Sequence, residues 1–558
     1  MKRFIGVSLL IFCIGLLLSS GKLISHQMFS FHDQTQAARI ADFTFALQNG
    51  QIPPRLAHHF SYEMGYPIFN YYAPTAYWIT SALHVLGFSI PNALKISFLL
   101  ASMVLAIGTY SLLRMYFAEK AALVGAFLLV SSPLIALEIY VRGNLAELWF
   151  LALFPVVLTL IKKLSIRFTR TLFFSLALIF SLLLTSHNAL SIVGAMLVGI
   201  FAWMHQKRIQ ICASLLLGLL CASYFLIPAF AELNLTHATG IAASTYYQDH
   251  FVCIRQLWTS QWGYGGSVPG CVDGMSFMLG KILLVTAFIG GLHWLWSLIK
   301  TKKDSRTYHS IVIFFGLIGT MGIFLSLSYS SFVWIIFEPL LKLFQFPWRF
   351  LGLTLFGCAF LSAYCVESVF PKKIGPILVS VIIVLALLMN KHYFVPNPQK
   401  IWSENEFEEK FISEEYIHDE VSARVPEYYP KSVDYKSILT QEAPVMDLII
   451  TPLDGGSVHQ TKHSLFSYDV QTTSQSFYVN KHYLPHWLIE LNGKPYIPHD
   501  FDSFGRPKIT IIDSPSISNV TLRYSQTYLE KLANLMSLSS IIILVLCMHP
   551  KIWKRLSH

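Results

Sequence analysis

The sequence predicts a polytopic α-helical membrane protein of about twelve transmembrane helices, carrying a C-terminal β-rich domain outside the cytoplasm. Three observations support this. Hydrophobic residues make up 54% of the 558 and charged residues 13%, where a soluble domain carries roughly 25% charged. Apolar runs repeatedly reach the ~20 residues that span a bilayer. Between His392 and Thr527, by contrast, the chain turns polar and several stretches alternate with the period of a strand. The net charge of +10 does not point to nucleic acid, because Lys and Arg gather in short clusters between apolar runs, where they set topology. The partner this composition implies is the lipid bilayer.

Taken in order, Met1 to Leu23 places Lys2 and Arg3 before an apolar run, a pattern shared by signal peptides and signal anchors. Its length and the many spans that follow favour a retained anchor, which puts residues from about 25 outside. The short aromatic stretch 71–88, YYAPTAYWITSALHVLGF, decides the parity of the rest. If it crossed, every later basic cluster would fall outside. As an interfacial or re-entrant helix it leaves Arg114/Lys120, Lys162/Lys163/Arg167/Arg170, Lys207/Arg208, Lys300/Lys302/Lys303/Arg306, Lys372/Lys373 and Lys551/Lys554/Arg555 inside. Further spans are expected near 92–116, 121–140, 145–161, 171–186, 189–204, 209–229, 278–299, 308–328, 349–370, 374–390 and 529–548. Both termini are then cytoplasmic.

The expected organisation is a membrane domain over 1–390 with an outer loop over 25–91, a β-rich extracytoplasmic domain over 391–528, and a last helix with a basic tail over 529–558. Strands are expected in VMDLIITPLDGG, SFYVN, HWLIELNGKPYI, KITIIDS and NVTLRYS, with turns at Asp454-Gly455 and Asn492-Gly493. The acidic SENEFEEKFISEEY reads as a surface helix. Of eight cysteines, Cys13, Cys212, Cys221, Cys358, Cys365 and Cys547 sit in apolar runs as small hydrophobes. Cys253 and Cys271 share a polar outer loop, where a disulfide and two free thiols are both open.

The polar residues worth weighing lie at the outer ends of these helices. Asp33 follows the first span; it can act as a general base or simply favour the start of a helix at Gln34. His32, His58 and His59 are N donors that a metal would accept, but no HxH or HExxH spacing supports a site, and solvated histidines explain them equally. Arg55, stiffened by Pro53-Pro54, is a phosphate ligand or a headgroup contact. In VRGNLAELW, Arg142 and Glu147 flank a helix start suited to an anion and a hydroxyl, or to plain dipole pairing. LLLTSHNALS sets His187 and Asn188 at a tight outer turn, lining a cavity or making the turn. In FQFPWRFLG, Arg349 follows a proline and clamps a lipid phosphate or snorkels to the interface.

Together FHDQTQ, GQIPPRL, GYPIFNYYAPTAYW, RGNLAELWFLALFPVVL, LTSHN and LFQFPWRFLG resemble the membrane proteins called 6-pyruvoyl-tetrahydropterin-synthase-related, although nothing in the sequence resembles a soluble pterin enzyme. YLPHWLIELNGKPYIPHDF is similar to the outer tail of YfhO-type membrane proteins. The group in turn looks like the GT-C superfamily of membrane glycosyltransferases. That resemblance implies a polyprenyl-phosphate sugar donor, a glycan or glycolipid acceptor, residence in the bacterial inner membrane and an active site on its outer face. It implies catalytic roles for Asp33 and, more loosely, Glu147, with Arg55, Arg142, His187, Asn188 and Arg349 on the substrate. No cofactor is obligatory in this reading. A divalent metal stays open, because a single Asp stands where many relatives carry a paired acidic motif. A flippase or transporter for lipid-linked sugars, or a non-catalytic assembly factor, would use the same arginines as phosphate sites.

Overall fold

The computed structural model describes residues 21–548 apart from 239, 241–245, 301–305, 372, 414, 418–425, 439–447 and 512–516. The anchor expected over Met1–Leu23 falls almost wholly outside the described residues, and the basic tail wholly so. Strand β1 (Gln27–Phe29) leads into α1 (Gln36–Gln48), and the chain continues through α2 (Ile68–Tyr71) and α3 (Thr75–Val85). With 11 residues α3 is about 16 Å long, roughly half of a bilayer core.

The bundle follows as α4 (Ile90–Leu113), α5 (Glu119–Val130), α6 (Pro133–Leu137), α7 (Leu145–Ile166), α8 (Arg170–Leu184), α9 (Asn188–Trp203), α10 (Arg208–Cys221), α11 (Ser223–Ala231), α12 (Lys281–Lys300), α13 (Arg306–Ser326), α14 (Leu351–Ser368) and α15 (Gly375–Asn390). After it come β2 (Ile401–Ser403), α16 (Glu404–Ile412), a sheet region and a last helix, α17 (Tyr528–Met548). Among the described residues seven helices are individually long and apolar enough to cross a membrane. Two bent pairs add to these: α5 with Pro133–Arg142, bent by 41°, and α10 with α11, bent by 66°. The first bend sits where Ser132 caps a restarted helix and Pro133 takes its first position, which needs no backbone N–H. Helices α8 and α9, with 15 and 16 residues, are shorter than a full span.

Helix α14 is the axis of the bundle, packed by α5, α12 and α13. Glycines let these neighbours come close. A Cβ on Gly357 of α14 would lie 2.5 Å from the Gly319 nitrogen of α13, and one on Gly125 of α5 would lie 2.6 Å from the Ala359 carbonyl. Gly290 of α12 faces the Leu361 carbonyl in the same way. Small residues at crossings are how helices gain van der Waals contact where lipid is as apolar as their own side chains.

The sheet region forms two antiparallel sheets on one core. One has the order β3 (Ile450–Pro452), β6 (Ser476–Val479), β10 (Pro507–Thr510), β9 (Asp500–Phe501). The other runs β4 (Val458–Ser464), β5 (Ser467–Thr472), β11 (Ser518–Tyr524), β7 (Trp487–Leu491), β8 (Lys494–Tyr496). Phe477, Val479 and Ile509 of the first meet Val470, Trp487, Ile489, Val520 and Leu522 of the second. Asn492 and Gly493, both at positive φ, turn β7 into β8. The sheets begin only at Ile450. Phe407, Phe411, Tyr428 and Val433 pack into the bundle's core, and β2 pairs with β1, so these residues tie the chain after the bundle back to the segment before α1. Cys253 and Cys271 form a disulfide across 18 positions.

Candidate functional site

Asp33 is held by main chain before its side chain does anything. The N–H of His32 donates to the Val141 carbonyl at 2.9 Å and that of Asp33 to the Arg142 carbonyl at 3.0 Å. This segment can lie against Arg142 because the next residue is Gly143, at φ +63°, where a Cβ would run into the ring of Phe31. The Asp33 carboxylate then accepts from Thr35 Oγ1 at 2.9 Å and Gln36 Nε2 at 2.6 Å, while Arg39 Nη1 lies 3.6 Å away. Its side chain remains 26% exposed; that of Arg39 is 4% exposed. Arg39 is fixed in turn by the Tyr77 hydroxyl at 3.3 Å and the face of Tyr72 at 4.7 Å.

Arg142 ends a single π-helical turn, Glu138–Arg142. It is paired with both Glu138 and Glu147, the latter at 2.8 Å, and its guanidinium covers Trp348 at 4.4 Å. Glu147 lies in the first turn of α7, where its backbone N–H is capped by Asn144. Arg349 enters at the start of α14 through the 3₁₀ turn Pro347–Phe350. It donates to the Phe344 carbonyl at 2.6 Å and keeps Nε 4.0 Å from Glu147, with no hydrogen bond at that nitrogen. His187 caps α9, its Nδ1 accepting from the Leu190 N–H at 3.2 Å. Burial first, then the charges of Arg349 and Arg142, holds its imidazole well below the ordinary range and therefore neutral. Tyr72 joins the two halves. Burial and the Asp33 charge push its hydroxyl up, opposed by Arg39 and Arg349. Glu427 also faces Arg39 and Asp33, and burial raises its carboxyl.

The structure thus brings together Asp33, Arg142, Glu147, His187 and Arg349, and adds Arg39, Glu138, Tyr72 and Glu427. Asn188 acts on the backbone, donating to the Tyr71 carbonyl at 2.8 Å and accepting from the Ala73 N–H at 2.9 Å, which fixes Tyr72 between them. Arg55 is held elsewhere, by Asn70 at 2.7 Å, Asn534 at 2.8 Å and Glu530 at 3.6 Å. His32 lines a cavity of about 240 Å³ with Gln34, Tyr140, Tyr264, Asn397 and Lys400, its Nε2 3.0 Å from the Tyr264 carbonyl. His59 pairs with Asp42 at 2.7 Å, and His58 stacks on Phe45. Burial, with Lys481 adding to it, pushes His58 down to about 3. None of the three histidines belongs to a group of donors at metal spacing among the described residues. Asp33 likewise stands in no such group among the described residues; its carboxylate faces Thr35, Gln36 and Arg39.

Residues 69–394 match the family model described as the 6-pyruvoyl-tetrahydropterin synthase related domain, a membrane protein. The chain belongs to this family. The matched region holds Glu138, Arg142, Glu147, His187 and Arg349, while Asp33 and the two sheets lie outside it. Among solved structures the chain is similar to the arabinofuranosyltransferase AftD from Mycobacteria, at 14% identity and a TM-score of 0.46, covering 71% of this chain and 27% of that one. It is also similar to the Archaeoglobus fulgidus oligosaccharyltransferase in complex with Zn and sulfate, at 13% identity and a TM-score of 0.37, covering 71% of this chain and 54% of that one. The chain therefore spans about a quarter to a half of these proteins. No curated protein sequence matches it.

Proposed function

We propose that this family member is an integral membrane glycosyltransferase of the GT-C type, which moves a sugar from a polyprenyl-phosphate carrier to a glycan or glycolipid acceptor on the outer face of the bacterial inner membrane. The observation that carries the reading is the pairing, at one end of the bundle, of a partly open carboxylate with buried guanidinium groups on the helix ends around it. Transfer needs both. Asp33 accepts the proton of the acceptor hydroxyl as its oxygen attacks the anomeric carbon. The bond from that carbon to the phosphate oxygen breaks, and the lipid phosphate leaves with the electron pair. Arg349, with its Nε unspent, and Arg142 are the groups that meet the growing negative charge; a well-placed donor of this kind contributes about 3–4 kcal/mol. Glu147 orients both arginines, and neutral His187 borders them without adding charge. Arg39, 3.6 Å from Asp33, helps to aim its carboxylate. The gathering of these groups at helix ends, rather than along a path through the bundle, favours transfer over transport.

The experiment is sugar transfer by the purified full chain in lipid nanodiscs, using polyprenyl-phosphate sugars as donors and mass spectrometry of the product. Wild type is expected to transfer and Asp33→Asn to lose transfer while inserting normally. Equal rates would remove Asp33 from the mechanism. Movement of the carrier across vesicles without any transfer would replace this reading with a flippase.

A further inference from the structure

A second buried polar cluster lies where α11 ends, where the sheets rest, and where α17 begins. Glu232 follows α11, His486 precedes β7, and Glu530 is in the first turn of α17. All three are buried, and their donor atoms lie within 4.8 Å of one another. His486 Nε2 is 3.2 Å from Glu530 Oε2 and 3.9 Å from Glu232 Oε2. Four-coordinate bonds of about 2.1 Å place ligand atoms about 3.4 Å apart, between these two separations.

Two features say the cluster is incomplete as it stands. Despite its nearness to Glu530, His486 makes no hydrogen bond at either ring nitrogen, and its ring is 2% exposed. Its plane is set by stacking on Tyr524, with centroids 5.5 Å apart and planes 11° apart. The carboxylates are also served unequally. Glu232 accepts from Asn70 Nδ2 at 3.1 Å and Thr527 Oγ1 at 2.6 Å, and Oε2 of Glu530 accepts from the Thr527 N–H at 2.9 Å, whereas Oε1 of Glu530, 3.6 Å from Arg55 Nε, accepts no hydrogen bond.

We propose that Glu232, His486 and Glu530 hold a divalent cation that accepts one imidazole and two carboxylate oxygens, Zn²⁺ or Mn²⁺ by donor chemistry. The ion gives His486 Nε2 the partner that no hydrogen bond supplies. Because its ligands come from the bundle, the sheet domain and the last helix, it fastens the outer domain to the membrane part. Its position is separate from Asp33 and does not depend on the transfer reaction.

The test uses the full chain purified in detergent without chelator. Elemental analysis is expected to find about one Zn or Mn per chain in wild type. Stripping with EDTA lowers Tm by several degrees, and adding ZnCl₂ or MnCl₂ restores it, because an ion that binds only the folded state raises its stability. Glu232→Gln and His486→Gln are expected to carry no ion and to show no response of Tm to added metal. If either fails to fold, the stripped and reloaded wild type decides alone. A wild type that holds no metal, and whose Tm ignores both salts after stripping, overturns the proposal in favour of direct contacts of His486 with the two carboxylates. A His486→Gln protein that keeps its full metal content overturns it too.

Discussion

The backbone N–H of Asp33 donates to the carbonyl of Arg142 at 3.0 Å, so the carboxylate proposed to activate the attacking hydroxyl and a guanidinium proposed to meet the leaving phosphate are joined by main chain. The spacing of their backbones does not depend on side-chain rotamers. Positioning of catalytic groups against the reactants is itself a large contribution to rate.

Thr35 donates to Oδ1 of Asp33 and Gln36 to Oδ2, so Asp33→Asn keeps one of these hydrogen bonds on its amide oxygen and removes the basicity. Transfer is expected to fall by about 10²–10⁴-fold in kcat with little change in KM for the donor. A steady-state titration of donor separates the two, and a rise in KM alone would count against a general base.

Arg142→Met strands two buried carboxylates, Glu138 and Glu147. The expected loss of stability is about 3–5 kcal/mol, the range for breaking a buried ion pair. The triple variant Glu138→Gln, Arg142→Met, Glu147→Gln is expected to recover most of it. Chemical denaturation of the three proteins reads the difference; a triple variant as unstable as the single would mean that the charges are not what Arg142 supports.

Gly143→Ala adds a Cβ at φ +63° that meets the Phe31 ring. Strain and overpacking together cost about 2–4 kcal/mol, and the damage falls on the segment that carries Asp33. Transfer should drop more than Tm does. Gly143→Ala with full activity would show that the segment tolerates displacement.

His482 is buried, with Nδ1 on the Phe504 carbonyl at 2.7 Å and Nε2 2.6 Å from Ser61 Oγ. Burial, opposed by the Phe504 bond and reinforced by Lys481 and Arg506, pushes it down to about 3. Between that value and the unfolded value near 6.5, the unfolded chain binds a proton that the folded one refuses. Stability therefore falls as pH drops through this window, by about 1.4 kcal/mol per unit for this group. Tm measured from pH 7 to 4 should decline less steeply in His482→Gln; an unchanged slope would place the acid sensitivity elsewhere.

The pair Cys253 and Cys271 closes a loop that lies beside Asp273, whose carboxylate is held low by Ser260, the Gln261 N–H and Gln256. A crosslink of this span contributes about 3 kcal/mol. Cys253→Ser with Cys271→Ser is expected to lower Tm, and reductant is expected to do the same to wild type but not to the variant.

Local pattern accounts for what the sequence made legible. Alternation located β6, β7, β10 and β11, whose inward residues are Phe477, Ile489, Ile509 and Leu522. It missed β4, VHQTKHS, because that edge strand is exposed along most of its length and carries no apolar face. The helices were readable by apolar length, but the break at Ser132-Pro133 and the shortness of α8 and α9 depend on how neighbours pack. Asp33, Arg142 and Arg349 stood out as charges at helix ends. Arg39 did not, although Asp33, Gln36 and Arg39 recur at every third position and share one face of the helix start. Glu138 and Arg142, four apart, carried a comparable signal. Arg55 could not be placed from sequence at all: its partner Asn534 lies 479 positions away, and only the return of α17 to the bundle brings them together.

The glycines along α14 have a consequence for how a reaction cycle runs. A helix clasped on three sides at backbone distance has no room to slide or tilt by a turn, so Arg349 at its head behaves as a fixed post. Helix α15, by contrast, keeps much of its surface free of protein. In the proposed reaction the carrier lipid would come to a stationary charge and leave it.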